Sequence, residues 1–504
     1  MKALCFLGMA FAAALAFAEI KPVAPEGSGK KDDPYLIDKL ENFFWLSQAS
    51  QEKEIYCQQT ADIDASRTQD EEESSWPLIA NYRMLVYDGQ GYSIISPYIS
   101  DSVADVCGLF SYGIFQIKNL NIKKAKANFE RKGGAILVGE MSIDRENRNT
   151  LLSVENCTVD GEIFTSTYAS GLIGFVFIND ETATFIVSNC FSKINIQGKE
   201  IRAAGLINYI SGFNLDSLNI YDSHASLTLN CEVLVGYGGL LGSPYISAPT
   251  NHLTSVNLVN CSSLIDVSSE KGNPFWGGGL LDILTLQRDG KIDVDKKRVC
   301  VTRILGCHSS GKTSIGKRDG DLRLSGLGGF IGVLNVYSFG SVIECQIENC
   351  YSDVNFDLYD DYGNTGGFIG CIRESNKGVY SPITINKCYA SNIINISFPQ
   401  SEMWEAKKPF IGYYNNFFPY LTVTNCYSNK DYFETEDEYA MGKSSQELRK
   451  ESTFEGWDFD NVWDIDEGVS FPYLKNELPE PFSVGAFALA LLIYLRLTMI
   501  PRKK

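Results

Sequence analysis

Histidines, cysteines, clustered carboxylates and bunched aromatics are the side chains equipped for chemistry in this chain, and their spacing excludes most of it. The three histidines are His224, His252 and His308. None begins an H-E-x-x-H helix face for zinc, and none neighbours a plausible nucleophile in sequence. His224 and His308 are expected to be solvated turn residues. Fourteen cysteines contain no C-x-x-C pair, so neither a thiol redox centre nor a tetrahedral metal site is predicted. Acidic residues gather at Asp357, Asp360 and Asp361, at Glu434 to Glu438, and at Asp458 to Glu467. Oxygen-rich loops hold Ca²⁺, but none of these has the spacing of a calcium loop, and Asp357, Asp360 and Asp361 remain a weak candidate. No other cofactor is expected. Tyr413, Tyr414, Phe417 and Phe418 form an aromatic bunch of the kind that stacks sugar rings, while the competing reading places half of them in the core.

The elements that must position these residues repeat. One is a glycine step into an apolar pair, as in Gly171-Leu172-Ile173-Gly174, Gly238-Gly239-Leu240-Leu241-Gly242, Gly328-Gly329-Phe330-Ile331-Gly332 and Gly366-Gly367-Phe368-Ile369-Gly370. The other is a strand ending in Asn-Cys, at Cys157, Cys190, Cys261, Cys350 and Cys426, with variants at Ser223, Cys307 and Cys388. Successive copies lie 33, 33, 38, 46, 43, 38 and 38 residues apart. That is solenoid spacing, with insertions taken up in loops. Around each cysteine the apolar residues alternate, as Cys345 and Ile347 do before Cys350 and Val354 and Phe356 after it. Two strands turning a corner with one face inward follow from this period of two. The chain is predicted to be all-β, a right-handed parallel β-helix. The cysteines become small buried residues at the inside of the corner, and each preceding asparagine tolerates left-handed backbone there and bonds its neighbour in the next coil. Disulfides between copies stay open.

The ends carry addresses. Lys2, an apolar run from Leu4 to Leu15 and Ala16-Phe17-Ala18 form a signal peptide, with cleavage expected between Ala18 and Glu19. Pro479-Glu480-Pro481 precedes a largely apolar segment from Phe482 to Ile500 and a basic tail, Arg502-Lys503-Lys504. A C-terminal transmembrane helix is predicted there. This layout resembles the PEP-CTERM sorting signal of Gram-negative bacteria, which implies an exosortase-type transpeptidase as partner and contact with the membrane before processing. A net charge of −18 argues against nucleic acid as a partner. Bacterial cell surface, outer envelope or extracellular matrix is the expected location.

The glycine step followed by N-C-Y-S or N-C-Y-A resembles the GLUG motif of bacterial surface and secreted proteins. Asp33-Pro34-Tyr35-Leu36-Ile37 with a short helix capped by Asp38, and W-D-F-D-N-V-W-D from Trp457, look like that family's usual beginning and ending. The expected organisation is a signal peptide over 1–18, an N-terminal cap over 19–107 and repeats over 108–440. A C-terminal cap over 441–478 and the sorting signal over 479–504 complete it. The resemblance implies an adhesin-like or structural extracellular module. Some GLUG-bearing proteins are IgA-specific metallopeptidases, but the absent H-E-x-x-H removes that half of the comparison. The reading is a non-catalytic surface protein whose partner is a polysaccharide or another surface protein. A β-helical polysaccharide lyase or hydrolase is the alternative.

Overall fold

A computed structural model describes residues 20–475, apart from 50–53, 70–74, 101–105, 144–149, 180–182, 214, 249–252, 289–297, 319–325, 339–341, 361–362, 375–380, 399–406, 415–419 and 434–436. The chain coils as a parallel β-helix with three strand faces per turn. The first face follows the glycine step: Ile173–Ile178 pairs with Ile207–Phe213, which pairs with Leu241–Ala248 and then Leu281–Arg288. The second face leads to Asn-Cys, stacking Thr184–Ser188 on Ser217–Tyr221 on Thr254–Val259. The third face leaves the cysteine, stacking Phe191–Ala204 on His224–Gly238 on Ser262–Gly278. Coils pair in parallel throughout, and the paired Trp463–Asp464 and Tyr473–Leu474 are antiparallel outside the solenoid. Parallel coiling begins at Tyr35–Ile37, so the N-terminal cap region is itself coiled.

The Asn-Cys corner behaves as its residue types demand. Asn119, Asn156, Asn189, Asp222, Asn260, Asn349, Lys387 and Asn425 have φ between 45° and 55°, and Gly306 has 60°. Asparagine and aspartate accept this left-handed geometry because their short polar side chains bond locally. Asn156 Nδ2 donates to Asn119 Oδ1 at 3.1 Å and Asn189 Nδ2 to Asn156 Oδ1 at 2.7 Å, the expected ladder. The thiols beneath are all free and buried. Each donates to the carbonyl two residues back, as Cys190 does to Ser188 O at 3.3 Å and Cys350 to Glu348 O at 3.2 Å. Ser223 repeats the contact to Tyr221 O at 2.7 Å, which explains its place in a cysteine column. Above the thiols the core stacks like on like: the Phe330, Phe368 and Phe410 rings lie 4.7 and 4.8 Å apart, nearly parallel.

Three expectations need correction. The fold class included a C-terminal transmembrane helix. Among the described residues the one α-helix is Leu40–Leu46, seven residues long, and no helix is long and apolar enough to cross a membrane. The segment on which that expectation fell lies outside the described residues, as do the signal peptide with Ala18 and Glu19 and the motif Pro479, Glu480 and Pro481. The helix is not capped by Asp38. Asn42 Oδ1 accepts from the backbone N–H groups of Asp38 and Lys39 at 3.1 and 3.2 Å, while Glu41 turns to Arg67. This helix places Leu40, Phe43 and Leu46 over the N-terminal opening of the core.

The Trp-rich ending is not a lid on the far end either. It lies along the flank, where Tyr351, Tyr389 and Tyr427 follow the cysteines of three successive coils, and packs Leu448, Phe454, Trp457 and Trp463 over them. Trp457 Nε1 donates to Asn425 O at 3.0 Å and Trp463 Nε1 to Asn349 Oδ1 at 3.3 Å. The corner asparagines, not the end of the core, receive this strap.

Candidate functional site

The residues expected to do chemistry do not come together. Asp357 and Asp360 sit on one strand with odd separation, so Asp357 faces out and accepts from Asn395 at 2.8 Å while Asp360 is buried. Asp361 lies outside the described residues. No group of three His, Cys, Asp or Glu that could hold a metal occurs among the described residues. Tyr413 is exposed, Tyr414 is half-buried with its hydroxyl on Glu374 Oε1 at 3.3 Å, and Phe417 and Phe418 lie outside the described residues. Burial pushes the Glu374 carboxyl up to about 7.

His224 and His308 are half-buried between coils rather than freely solvated as expected, and His252 lies outside the described residues. Stacking places His224, Ser262, His308 and Tyr351 in one column of the third face. His224 Nδ1 lies 2.7 Å from Ser262 Oγ, and the His308 ring stacks on Tyr351 at 4.9 Å. A histidine beside a serine invites a nucleophilic reading, but Ser262 is buried, and Thr158 and Asn121 make the same inter-coil rung lower in this column. We assign the pair to the ladder. Burial lowers His224 to about 4, against the pull of Asp222, and lowers His308 to about 3, with His224 adding to it. Both folded values lie below that of free histidine, so their stabilisation is present above pH 6.5 and is lost as pH falls through about 4 and 3. His308→Tyr, the residue one coil on, is expected to flatten the fall in melting temperature between pH 6.5 and 3. Each proton taken up on unfolding costs ~1.4 kcal/mol per pH unit in that window. Melting curves that fall equally for both proteins would refute it.

What the fold does assemble is an outward aromatic face on the first-face strands that follow the glycine step. In Gly174-Phe175-Val176-Phe177-Ile178, Val176 and Ile178 point into the core, so both phenylalanines point out. Parallel pairing sets Tyr209 beside Phe175 and Tyr245 beside Ser211, the neighbour of Phe177. Across the glycine corner, the Tyr168 ring meets Phe175 at 5.9 Å. Phe175 and Phe177 lie parallel at 6.4 Å, Phe177 meets Tyr209 at 5.9 Å, and Phe213 meets Tyr245 at 5.6 Å. Tyr168, Phe177 and Phe213 are 42%, 37% and 39% exposed, which for such rings leaves one face open to solvent. Among the neighbouring hydroxyl residues, Ser142 is half-buried, while Ser211, Ser243, Ser247 and Thr285 are buried between the coils. On the third face the outward residues of the same coils are mixed, with Lys126, Glu162, Lys193 and Asp266 beside the exposed Phe164. On a chain of net charge −18 this aromatic patch, bordered by Glu140 beside Phe175, is the site that stands out.

One buried charge pair adjoins this face. The last glycine of the step, as in Gly174, Gly242 and Gly332, is replaced by Asn208 and Asp282. Asp282 is fully buried, and Arg202 reaches it from two coils away, Nη2 to Oδ2 at 2.8 Å and Nε to Oδ2 at 3.2 Å. The guanidinium crosses the space that Gly236 leaves open, bonds Ser243 Oγ and lies 5.7 Å from the centre of the Trp276 ring. Burial pushes the Asp282 carboxyl up to about 7 against the pull of Arg202. The Arg202–Asp282 pair fastens one coil to the coil two further on.

No family model and no curated protein matches this chain. A solved structure described as a "putative immunoglobulin A1 protease from Bacteroides ovatus" aligns over 90% of this chain and 95% of its own. The identity is 14% and the TM-score 0.37. That likeness is too slight to bear on fold or function, which rest on the strand pairing and the faces above.

Proposed function

We propose that this is an exported, non-catalytic β-helical protein of the bacterial surface that binds a neutral polysaccharide on its aromatic first face. The observation that carries the reading is the run of ring contacts through Tyr168, Phe175, Phe177 and Tyr209, with Tyr168 and Phe177 open to solvent. Pyranose rings present apolar C–H faces, and an open aromatic patch stacks on them. The chain's negative charge disfavours polyanionic glycans at physiological salt. Export rests on the pattern ending at Ala18, and the motif Pro479-Glu480-Pro481 is its address for a sorting transpeptidase.

A panel of immobilised neutral and acidic polysaccharides tests this, scored for both retention and product release. Retention on a neutral glycan is expected, with Phe177→Ala and Tyr209→Ala each weakening it about five- to tenfold, or ~1–1.4 kcal/mol. Release of oligosaccharide would sink the non-catalytic reading. Retention unchanged in both variants would remove the face. Concentration-dependent self-association abolished by the same changes would assign it to a second copy instead.

A further inference from the structure

One acidic residue interrupts the aromatic column. The outward column of the first face runs Ala80, Tyr112, Glu140, Phe175 and Tyr209, one residue from each successive coil. Met141 and Ile143 point into the core, so Glu140 points out. Its side chain is half-buried, yet among the described residues no hydrogen bond or ion pair holds the carboxylate. Carboxylates elsewhere in the solenoid are tied down. Asp88 accepts from Asn119 Nδ2 at 2.9 Å with Lys118 Nζ 3.2 Å away, and Glu348 accepts from Asn386 Nδ2 at 2.9 Å.

Neighbouring strands of a sheet stand about 4.8 Å apart, so Tyr112 and Phe175 flank Glu140 from the coils before and after it. Tyr112 is 41% exposed, and Phe175 leads into the ring contacts with Tyr168 and Phe177. Burial pushes the Glu140 carboxyl up, while Lys132 pulls it back as a nearby charge rather than an ion pair. The face thus sets one negative charge, short of donors, between two aromatic side chains that meet solvent.

We infer that Glu140, between Tyr112 and Phe175, takes the ammonium group of an amino sugar. The inference rests on the glycan reading of this face and narrows its ligand: a chain otherwise uncharged, with a free amine on the sugar that stacks at Phe175. A ring stacked there holds its substituents within one rung of Glu140. Aromatic faces attract a cation and gain little from a hydroxyl group. The carboxylate supplies the countercharge, and half-burial strengthens the attraction relative to open water. A sugar bearing only hydroxyls fills the carboxylate's acceptors but leaves its charge uncompensated between the coils. The net charge of −18 draws amine-bearing chains to the surface and repels carboxylated or sulfated ones.

The test uses the full chain and three labelled β-1,4-linked tetrasaccharides, of glucosamine, N-acetylglucosamine and glucose, in fluorescence anisotropy at pH 6, where the sugar amine carries charge. The glucosamine oligomer is expected to bind about tenfold tighter than the other two. Glu140→Gln, which keeps the side chain's shape, should bring all three within about twofold of one another. The two uncharged oligomers should bind that variant as before, which also reports that it is folded. Tyr112→Leu keeps bulk but removes a ring, and should cut the preference to about threefold. Binding of the uncharged oligomers with no preference for the amine, or a preference that survives Glu140→Gln, overturns this inference and leaves the glycan face standing. Failure of all three oligomers to bind overturns both. An oligolysine of equal charge that binds as tightly as the glucosamine oligomer also overturns it, because charge alone is then what the site reads.

Discussion

Arg202→Met is expected to cost about 3–5 kcal/mol at pH 8, the largest effect of any single surface-reaching side chain in the solenoid. Methionine preserves much of the stem's volume, so the loss is that of the charge. Asp282, fully buried, then loses the guanidinium that pairs with it, and its carboxylate must either stay ionised in a poor medium or take up a proton. The pH dependence follows from the sign. A carboxyl whose folded value, about 7, is raised above that of the free acid stabilises fully at low pH and loses that contribution as pH rises through 7. Without Arg202 the rise steepens, so the penalty should be markedly smaller at pH 5 than at pH 8. Adding Asp282→Gly restores the residue that the same column holds at Gly242 and Gly332, and should recover most of the loss. Urea unfolding followed by fluorescence at both pH values decides it. A penalty equal at pH 5 and pH 8, or a double variant as unstable as the single one, would show that the pair is not what holds this corner.

Trp463→Ala should cost about 3–5 kcal/mol as well, but locally. Its ring is fully buried, 4.4 Å from that of Trp457 and about 6 Å from those of Tyr351 and Tyr389. The indole also holds Asn349 at the corner. Removing it should free the strap and leave the coils beneath intact, since their ladders do not pass through it. Limited proteolysis should cut within 444–475 much faster, while far-UV circular dichroism stays unchanged. Coincident loss of strap and β-sheet signal would instead make the strap part of one cooperative unit.

Much of this architecture is legible in the sequence because the repeat writes its own geometry. Asn-Cys fixes a left-handed corner over a small buried side chain, and the alternation around it fixes which face is inward. The functional face was legible in principle and overlooked. Phe175 and Phe177 flank an inward Val176, and parity alone turns them outward, but their partners Tyr209 and Tyr245 come from other coils. Only the register, offset by loops of unequal length, brings those rings together. The same holds for Arg202 and Asp282, eighty residues apart, although the replacement of a step glycine by Asp282 was a visible departure. The histidines were misjudged for a related reason. Following the corner residue, they appear exposed in one coil, and become covered only when coils stack.

The direction of the ladders has a mechanical consequence. Hydrogen bonds between coils run along the solenoid's axis, so a pull on its two ends loads them in line, one rung at a time, rather than in shear across many. Each coil touches chiefly the coils above and below it. Under tension, such a rod should pay out a coil of 33–46 residues at each yield, beginning at whichever end is least fastened. A tether built this way lengthens in steps under drag and rewinds when slack, and the Arg202–Asp282 clasp and the tryptophan strap mark where it resists.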